Sequence, residues 1–304
     1  MTVVEAIQWA SRKLKERTKT PETGTHLDSP ILDAEILLAA TLHVTRGWLF
    51  THFDTPLRAD EEDQYYLAIR RRMRQEPVAY IIETKSFFTR DFFVNRFVLI
   101  PRPATETLVE AAIQISQTSD PEKTLFADIG TGSGAIAVTL AAESGIPVIA
   151  SDVSRHALLV ARQNAATFQV GDHIEFLLGS LAQPIFSLFQ KMKEQPPLPF
   201  QHLIICANLP YLSEDQWKTG QAELHFEPKI ALASGKDGLD AYWELLRSLV
   251  RSRPLLPFRV SLLMEIGPSQ HTSVPAIIRH HFPQAHTRIL QDMEGFDRVV
   301  ITEI

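Results

Sequence analysis

The sequence predicts an α/β protein whose larger part is a doubly wound sheet of seven strands. From residue 125 onward, short apolar runs of strand length recur, and some of the intervals between them have helical composition. This alternation is typical of strand–helix–strand units in an open sheet. The runs that predict strands are 125–129, 147–151, 174–178, 202–207, 261–266, 287–290 and 298–302.

The composition is that of a globular protein. At 304 residues, with 45% hydrophobic and 22% charged residues, the chain can hold one large and one small domain. No apolar run is long enough to span a bilayer, and Met1–Ala6 lacks the features of a signal peptide. The single cysteine, Cys206, excludes an internal disulfide and suits a reducing compartment. We therefore expect a cytoplasmic protein.

The net charge and the spacing of the histidines indicate which ligands and partners the protein is not expected to bind. The net charge of −6 argues against a broad basic surface for nucleic acid, so we expect no stable nucleic-acid binding. Because no apolar run is long enough to span a bilayer, we also expect no membrane binding. The eleven histidines show no spacing typical of metal ligands, so we predict no metal site.

Residues 1–84 have the apolar spacing of a helical domain. Thr20–Gly24 is expected to separate the first two helices, and a third helix is predicted from Ala59 to Arg74. The basic run Arg70–Arg74 ends this helix. We interpret it as exposed cations that offset the helix dipole; the alternative is a contact with an acidic partner.

The segment 85–103 is predicted to be a β-hairpin linker. Nine apolar residues, five of them Phe, crowd 85–100, and Pro101–Pro103 ends the pattern. The remainder, 104–304, is the predicted sheet domain, which begins with a helix. Within it, Gln195–Pro199 is predicted to be a surface loop.

A glycine-rich turn follows the first predicted strand. Gly130–Gly134 joins strand 125–129 to a predicted helix, and such glycines let a ligand approach the backbone. The next strand ends at Asp152, where a carboxylate can bind ribose hydroxyls. Together these features favour an adenosine-type cofactor.

Asn208-Leu209-Pro210-Tyr211 follows strand 202–207, at the edge where ligands bind in such sheets. The Asn208 side-chain carbonyl can accept one hydrogen of a planar N–H2 group, and the Pro210 carbonyl can accept the other. Tyr211 offers a flat face to the same group. Combined with the glycine turn and Asp152, this motif predicts S-adenosylmethionine (SAM) as cofactor and N-methylation as reaction.

With these motifs in place, the chain resembles the release-factor glutamine N5-methyltransferases of the PrmC or HemK type. The segments that carry the resemblance are Glu76–Ile81, Val98–Pro103, Asp128–Ala137, Ser151–Ser154, Glu227–Pro228, Ala231–Leu232, Gly235–Leu239, Glu265–Gly267 and Asp297–Val300. The resemblance implies a helical substrate-recognition domain, a hairpin and a Rossmann-like, SAM-dependent catalytic domain. It also implies a peptide-chain release factor as protein substrate, methylated on the glutamine of its Gly-Gly-Gln motif. We expect the protein to be a monomer.

The resemblance assigns roles to individual residues. Asp152 would hold the ribose, and Arg102 would help to shape the substrate site. The catalytic residues would be Asn208, Pro210 and Tyr211, and together with Leu209 they would bind the acceptor. The cofactor-binding group would be Gly130, Thr131, Gly132, Ser133, Gly134, Asp152, Ser180, Leu181 and Asn208.

Three positions depart from the usual family pattern. Leu209 stands where the family usually has proline, Ala104 replaces an acidic residue, and Ser180 replaces an aspartate. Asn-Leu-Pro-Tyr also resembles the motif of ribosomal RNA adenine dimethyltransferases. N6-adenine methylation, methylation of a ribosomal-protein glutamine, and a SAM-binding module without catalysis therefore remain alternatives.

Overall fold

A computed structural model describes residues 1–18, 29–193 and 198–304. The predicted break at Thr20–Gly24 and most of the predicted loop Gln195–Pro199 lie outside these residues. The chain forms two compact units. The first consists of Met1–Thr84 and Gly220–Phe226, and the second of Lys85–Thr219 and Glu227–Ile304. Nothing in the sequence pattern indicated that Gly220–Phe226 belongs to the first unit.

The first unit is helical. Its apolar core joins residues such as Leu14, Leu38 and Ile69 from three different helices. Tyr65 is also buried in this core, and its hydroxyl donates a hydrogen bond to the Ala34 carbonyl at 3.0 Å. The helices are α1 (Val3–Thr18), α2 (Pro30–Leu42), α3 (Arg46–Leu49), α4 (Ala59–Met73) and α5 (Val78–Ile81).

The basic end of α4 corrects one prediction. Arg72 is only 4% exposed, so it is not a surface cation. Its Nε atom donates to Asp33 at 2.7 Å and its Nη2 atom to Glu223 at 2.6 Å. Arg71 forms two hydrogen bonds with the Glu76 carboxylate. Burial of Arg72 is tolerated because two carboxylates compensate its charge, and the Glu223 pair ties Gly220–Phe226 to this unit.

The hairpin is shorter than the predicted linker. Its strands are β1 (Thr84–Phe87) and β2 (Arg90–Phe93). After β2 the Asn95 side chain accepts a hydrogen bond from the Phe97 N–H at 3.0 Å, and this local turn ends the extended backbone. The Phe-rich pattern continued past Phe93 because the residues that follow contribute to the buried core, with Val94, Val98 and Ile100 among them.

The second unit contains the seven-stranded sheet. Its order is β5-β4-β3-β6-β7-β9-β8, in which β9 is antiparallel to both of its neighbours and the other pairs are parallel. This arrangement confirms the predicted doubly wound fold. The strands are β3 (Thr124–Ile129), β4 (Val148–Asp152), β5 (Ile174–Leu178), β6 (His202–Ala207), β7 (Arg259–Glu265), β8 (His286–Gln291) and β9 (Asp297–Glu303).

Helices cover both faces of this sheet. Alternate residues of β3 divide between the two cores: Phe126 faces one, and Leu125 and Ala127 face the other. One core includes α6 (Glu106–Ser116), α7 (Ala135–Ser144) and α8 (Arg155–Thr167). The other includes α9 (Gln183–Lys193), α11 (Asp240–Arg251) and α12 (Ser273–His281); a short α10 (Glu214–Thr219) precedes α11. In the described ranges, no helix has the length and apolar character needed to cross a membrane.

Candidate active site

A cavity of about 440 Å³ opens at the carboxyl edge of the sheet. It is bordered by the ends of β3, β4 and β6, by residues 96–99 and 228–234, and by the first turns of α11. The predicted site residues that line it are Gly130, Gly132, Asp152, Ser180, Leu181, Asn208, Leu209 and Pro210. The predicted residues that do not line it are Thr131, Ser133, Gly134, Tyr211 and Arg102.

The glycine turn has a backbone that side chains disfavour. Gly130, Gly132 and Gly134 have φ angles of 74°, 54° and 82°, in the left-handed region. Gly134 has a packing role as well, because a β-carbon there would lie 3.1 Å from the Ala161 backbone of α8. The turn therefore brings bare backbone to the cavity at Gly130 and Gly132, while Gly134 lets two helices approach closely.

Thr131 and Ser133 are buried within the turn. The Thr131 hydroxyl donates to Oδ2 of Asp128 at 2.6 Å, and the Ser133 carbonyl accepts from the Asn164 side chain at 2.8 Å. Neither residue lines the cavity, and both stabilise the conformation of the turn through these hydrogen bonds.

Asp128 is a buried carboxylate that the sequence reasoning missed. Its Oδ2 atom accepts hydrogen bonds from Thr131 and from the Ala137 N–H, whereas Oδ1 has no partner in the described part of the chain. Burial raises the pKa of Asp128 to about 7. The signal available in the sequence was an acidic residue inside an apolar strand, directly before the glycines.

Asp152 ends β4 with its side chain in the cavity wall. Its Oδ2 accepts from the Gly132 N–H at 2.9 Å and its Oδ1 from the Ser154 N–H at 2.8 Å. Burial raises the pKa of Asp152, and these backbone hydrogen bonds oppose the shift. Each carboxylate oxygen retains acceptor capacity for a ligand hydroxyl.

Asn208 follows β6, and its amide is held by a chain of hydrogen bonds. Its Nδ2 atom donates to Oγ1 of Thr105 at 3.0 Å, and the Thr105 hydroxyl donates to Oε2 of Glu265 at 2.6 Å. Because Nδ2 faces Thr105, the Oδ1 atom of Asn208 is the part of the amide that remains for a ligand. Glu265 ends β7, is 1% exposed, and has its pKa raised to about 7 by burial. Thr105 and Glu265 were not assigned roles from the sequence.

The residues after Asn208 are fixed by the loop 235–239 and by Gln270. Leu209, one of the three departures from the family pattern, is buried and packs in the core that contains α11. The Tyr211 carbonyl accepts from Nε2 of Gln270 at 3.1 Å, and the same Nε2 donates to the Gly238 carbonyl at 3.2 Å. Burial raises the pKa of the Tyr211 hydroxyl to about 12.

Arg102 supports the segment that leads to Thr105. Its guanidinium pairs with the buried carboxylate of Glu227, whose other oxygen accepts from the Ile100 N–H at 2.9 Å.

At the far side of the cavity, the Ser151 hydroxyl donates to the Leu181 carbonyl at 2.7 Å, which fixes the Ser180–Leu181 backbone. Within the ranges that the structure covers, no group of three or more His, Cys, Asp and Glu side chains is arranged to hold a metal ion.

Two family models match parts of this chain. Residues 5–82 match a family model described as the PrmC N-terminal domain, and residues 104–193 match one described as ribosomal protein L11 methyltransferase (PrmA). The catalytic domain of hMettl16 in complex with MAT2A 3'UTR hairpin 1 has a similar fold, with a TM-score of 0.52, 11% identity and coverage of 83% of this chain and 82% of that one.

Two relatives, both named release factor glutamine methyltransferase, are similar along most of their length. The protein from Bacillus anthracis is 33% identical over 307 residues, covering 100% of both chains. The protein from Xylella fastidiosa (strain 9a5c) is 37% identical over 279 residues, covering 89% of this chain and 92% of the relative. The resemblance inferred from the motifs is thereby confirmed: the chain belongs to the release factor glutamine methyltransferase family.

Proposed function

We propose that this protein methylates the side-chain nitrogen of a glutamine in peptide-chain release factors, with SAM as methyl donor. The observation that carries the proposal is the orientation of Asn208, whose amide nitrogen is engaged by Thr105 and whose Oδ1 is left for a donor from a ligand. Asn208 lines the cavity together with Gly130 and Asp152. An acceptor amide and an adenosine-type cofactor could therefore share this cavity.

The residues of the cavity fit the cofactor. Gly130 and Gly132 present backbone without side chains, and the Asp152 carboxylate suits the ribose hydroxyls. Ser180 and Leu181 border the space assigned to the adenine. When bound, SAM supplies an electrophilic methyl group.

The acceptor nitrogen needs orientation more than it needs a strong base. A glutamine amide is a weak nucleophile because its lone pair is delocalised. Asn208 Oδ1 and the Pro210 carbonyl each accept one of its N–H hydrogens, which aims the nitrogen and favours the positive charge that develops on it. Tyr211 limits the motion of the loop, since its carbonyl is tied to Gln270. The proton leaves after methyl transfer, when the nitrogen is more acidic.

The helical unit is proposed to select the protein substrate. It exposes apolar side chains that a partner could cover, including Phe50, Tyr66 and Leu67. Leu67→Ser should raise the KM for intact release factor without changing the KM for a short Gly-Gly-Gln peptide. Equal increases for both substrates would contradict this role.

We further propose that the enzyme acts as a monomer in the cytoplasm.

The decisive experiment supplies labelled SAM and one purified candidate substrate at a time. We expect label in release factor, mass spectrometry that places one methyl group on the Gly-Gly-Gln glutamine, and no label when that glutamine is replaced by alanine. Ribosomal proteins and RNA serve as the competing substrates. Label on an adenine or on a ribosomal protein, with none on the release factor, would overturn the proposal.

A further inference from the structure

The hydrogen-bond chain behind Asn208 has a defined direction. A hydroxyl carries one proton and can accept with its lone pairs. The ionised Glu265 carboxylate can only accept, so the proton of Thr105 lies toward Oε2, at an oxygen–oxygen distance of 2.6 Å. The Thr105 oxygen is then left to accept, and the group within reach is Nδ2 of Asn208, at 3.0 Å.

This direction decides which end of the Asn208 amide meets the substrate. The oxygen and nitrogen ends of an asparagine amide have nearly the same shape, so packing alone selects weakly between them. With Nδ2 held by Thr105, the carbonyl end is presented to the cavity. With the amide reversed, an N–H2 group would face the N–H2 group of the acceptor, and two donors cannot bond.

From these contacts we infer that Glu265 acts through Thr105 as a positioning residue, setting the orientation of the Asn208 amide for methyl transfer. The inference rests on the proposed function for its catalytic consequence. The hydrogen-bond chain itself does not depend on the identity of the substrate.

The surroundings of Glu265 keep the carboxylate in one place. It ends β7, where Glu265 pairs with Val299 of β9, and its own carbonyl accepts from the Tyr242 hydroxyl at 2.7 Å. Burial disfavours the ionised form, and the hydrogen bond from Thr105 favours it. The other charged or titratable groups that act on this region are Arg298, Arg102, Asp292, Glu227, Tyr242 and Tyr211.

Protonation of Glu265 would remove the fixed donor-to-acceptor direction of the hydrogen bonds that run from Asn208 through Thr105 to Glu265. A protonated carboxyl can donate to Thr105, whose own proton is then free to turn toward the Oδ1 atom of a reversed Asn208. Turnover should therefore rise with pH as Glu265 ionises, near pH 7. Asp128 titrates in the same range, so the assignment requires a variant that changes Glu265 alone.

The test compares Thr105→Val, Thr105→Ser and Glu265→Gln in the full-length enzyme. Thr105→Val should lower kcat on the order of 10- to 100-fold, with the KM for release factor and the affinity for SAM nearly unchanged. Thr105→Ser keeps the hydroxyl and should restore most of the loss. Glu265→Gln should lower kcat and remove the rise of kcat near pH 7. The matched control is Thr302→Val, a buried threonine on β9, two strands away from Asn208.

A second readout does not depend on activity. In nuclear magnetic resonance spectra, the side-chain N–H2 protons of Asn208 should show contacts with Thr105 and slow exchange with water, and Thr105→Val should speed that exchange. An unchanged kcat in Thr105→Val, or Asn208 protons without contact to Thr105, would overturn the inference. If the wild type shows these contacts but does not methylate release factor, the proposed function fails and the hydrogen-bond chain stands. If Glu265→Gln does not fold, the pH profile of Thr105→Val decides: without the hydroxyl that connects Glu265 to Asn208, the rise of kcat near pH 7 should disappear, and a rise that persists would overturn the inference.

Discussion

Gly238 lies against the backbone carbonyl of Tyr211 so closely that a β-carbon on Gly238 would come within 2.2 Å of the Tyr211 oxygen. The φ angle of Gly238 is 77°, which side chains also disfavour. The contact fixes the chain directly after Asn208, Leu209 and Pro210. The loop that contains Gly238 is therefore part of the support of the candidate acceptor site, although it lies 27 residues further along the chain than Tyr211.

Gly238→Ala should destabilise the protein and reduce its turnover. The alanine must adopt a left-handed backbone, which costs roughly 1–2 kcal/mol, and it must also displace the Tyr211 carbonyl. Gly145→Ala is the matched control, since Gly145 has a φ of 68° and nothing within 4 Å of its β-carbon position. Urea unfolding should show a larger loss for Gly238→Ala than for Gly145→Ala. Equal losses would mean that the contact with Tyr211 has no effect.

Asp152→Ala should weaken the binding of SAM while the protein stays folded. One charge-assisted hydrogen bond contributes roughly 1.5–3 kcal/mol, so the dissociation constant should rise about tenfold or more. Calorimetric titration measures this change, and circular dichroism checks the fold. Asp172→Ala, on an exposed turn, is the control. Unchanged affinity in a folded Asp152→Ala protein would remove Asp152 from the cofactor site.

Arg72→Met should destabilise the helical unit, because Asp33 and Glu223 would lose their shared cation. Breaking a buried ion pair costs about 3–5 kcal/mol, and we expect the lower end since Glu223 is partly exposed. Lys13→Ala removes an exposed pair with Glu16 and should change the free energy of unfolding by less than about 1 kcal/mol. A loss as small as that of Lys13→Ala would show that the Arg72 pairs contribute little.

Most strands of the sheet were predictable because they are short apolar runs, and the cap of α8 was predictable from Ser154, whose hydroxyl accepts from the Ala157 N–H. The partners of Asn208 were not predictable in this way. Thr105, directly before α6, and Glu265, at the end of β7, are separated by 160 residues, and only the tertiary fold brings them together. The same holds for Arg72 and Glu223, 151 residues apart. Local patterns indicate elements; contacts between distant elements depend on the folded chain.

The end of the hairpin was not predicted from the sequence for a different reason. The apolar pattern of 85–100 is equally consistent with a strand and with an irregular buried segment, since both bury alternate side chains. The Asn95 side chain decides between them by accepting the hydrogen bond from the Phe97 N–H. Asparagine is a frequent turn residue, so this signal was present in the sequence but was outweighed by the surrounding phenylalanines.

Stability should depend on pH through Asp128. Its pKa in the folded protein, about 7, is above its ordinary value of 3.8. A raised folded-state pKa contributes stability that is present below the unfolded-state pKa and is lost as pH rises through the folded-state pKa. Asp128→Asn cannot ionise, so its free energy of unfolding relative to the wild type should increase from about pH 4 to about pH 8. Urea unfolding without cofactor, repeated across this range, measures the difference. A difference that stays constant with pH would contradict the burial argument.

Asn208→Ala should lower turnover far more than it lowers the affinity for SAM. Removing one oriented hydrogen-bonding group from a water-excluded site raises the barrier by roughly 2.7–4 kcal/mol, by analogy with oxyanion holes. Asn208→Asp should fail as well, because a carboxylate cannot donate to Thr105 and must be desolvated when the substrate binds. Leu209→Pro restores the usual family motif and should preserve glutamine methylation. Single-turnover kinetics on release factor separate the chemical step from binding, and near-normal turnover in Asn208→Ala would exclude Asn208 as the residue that orients the acceptor.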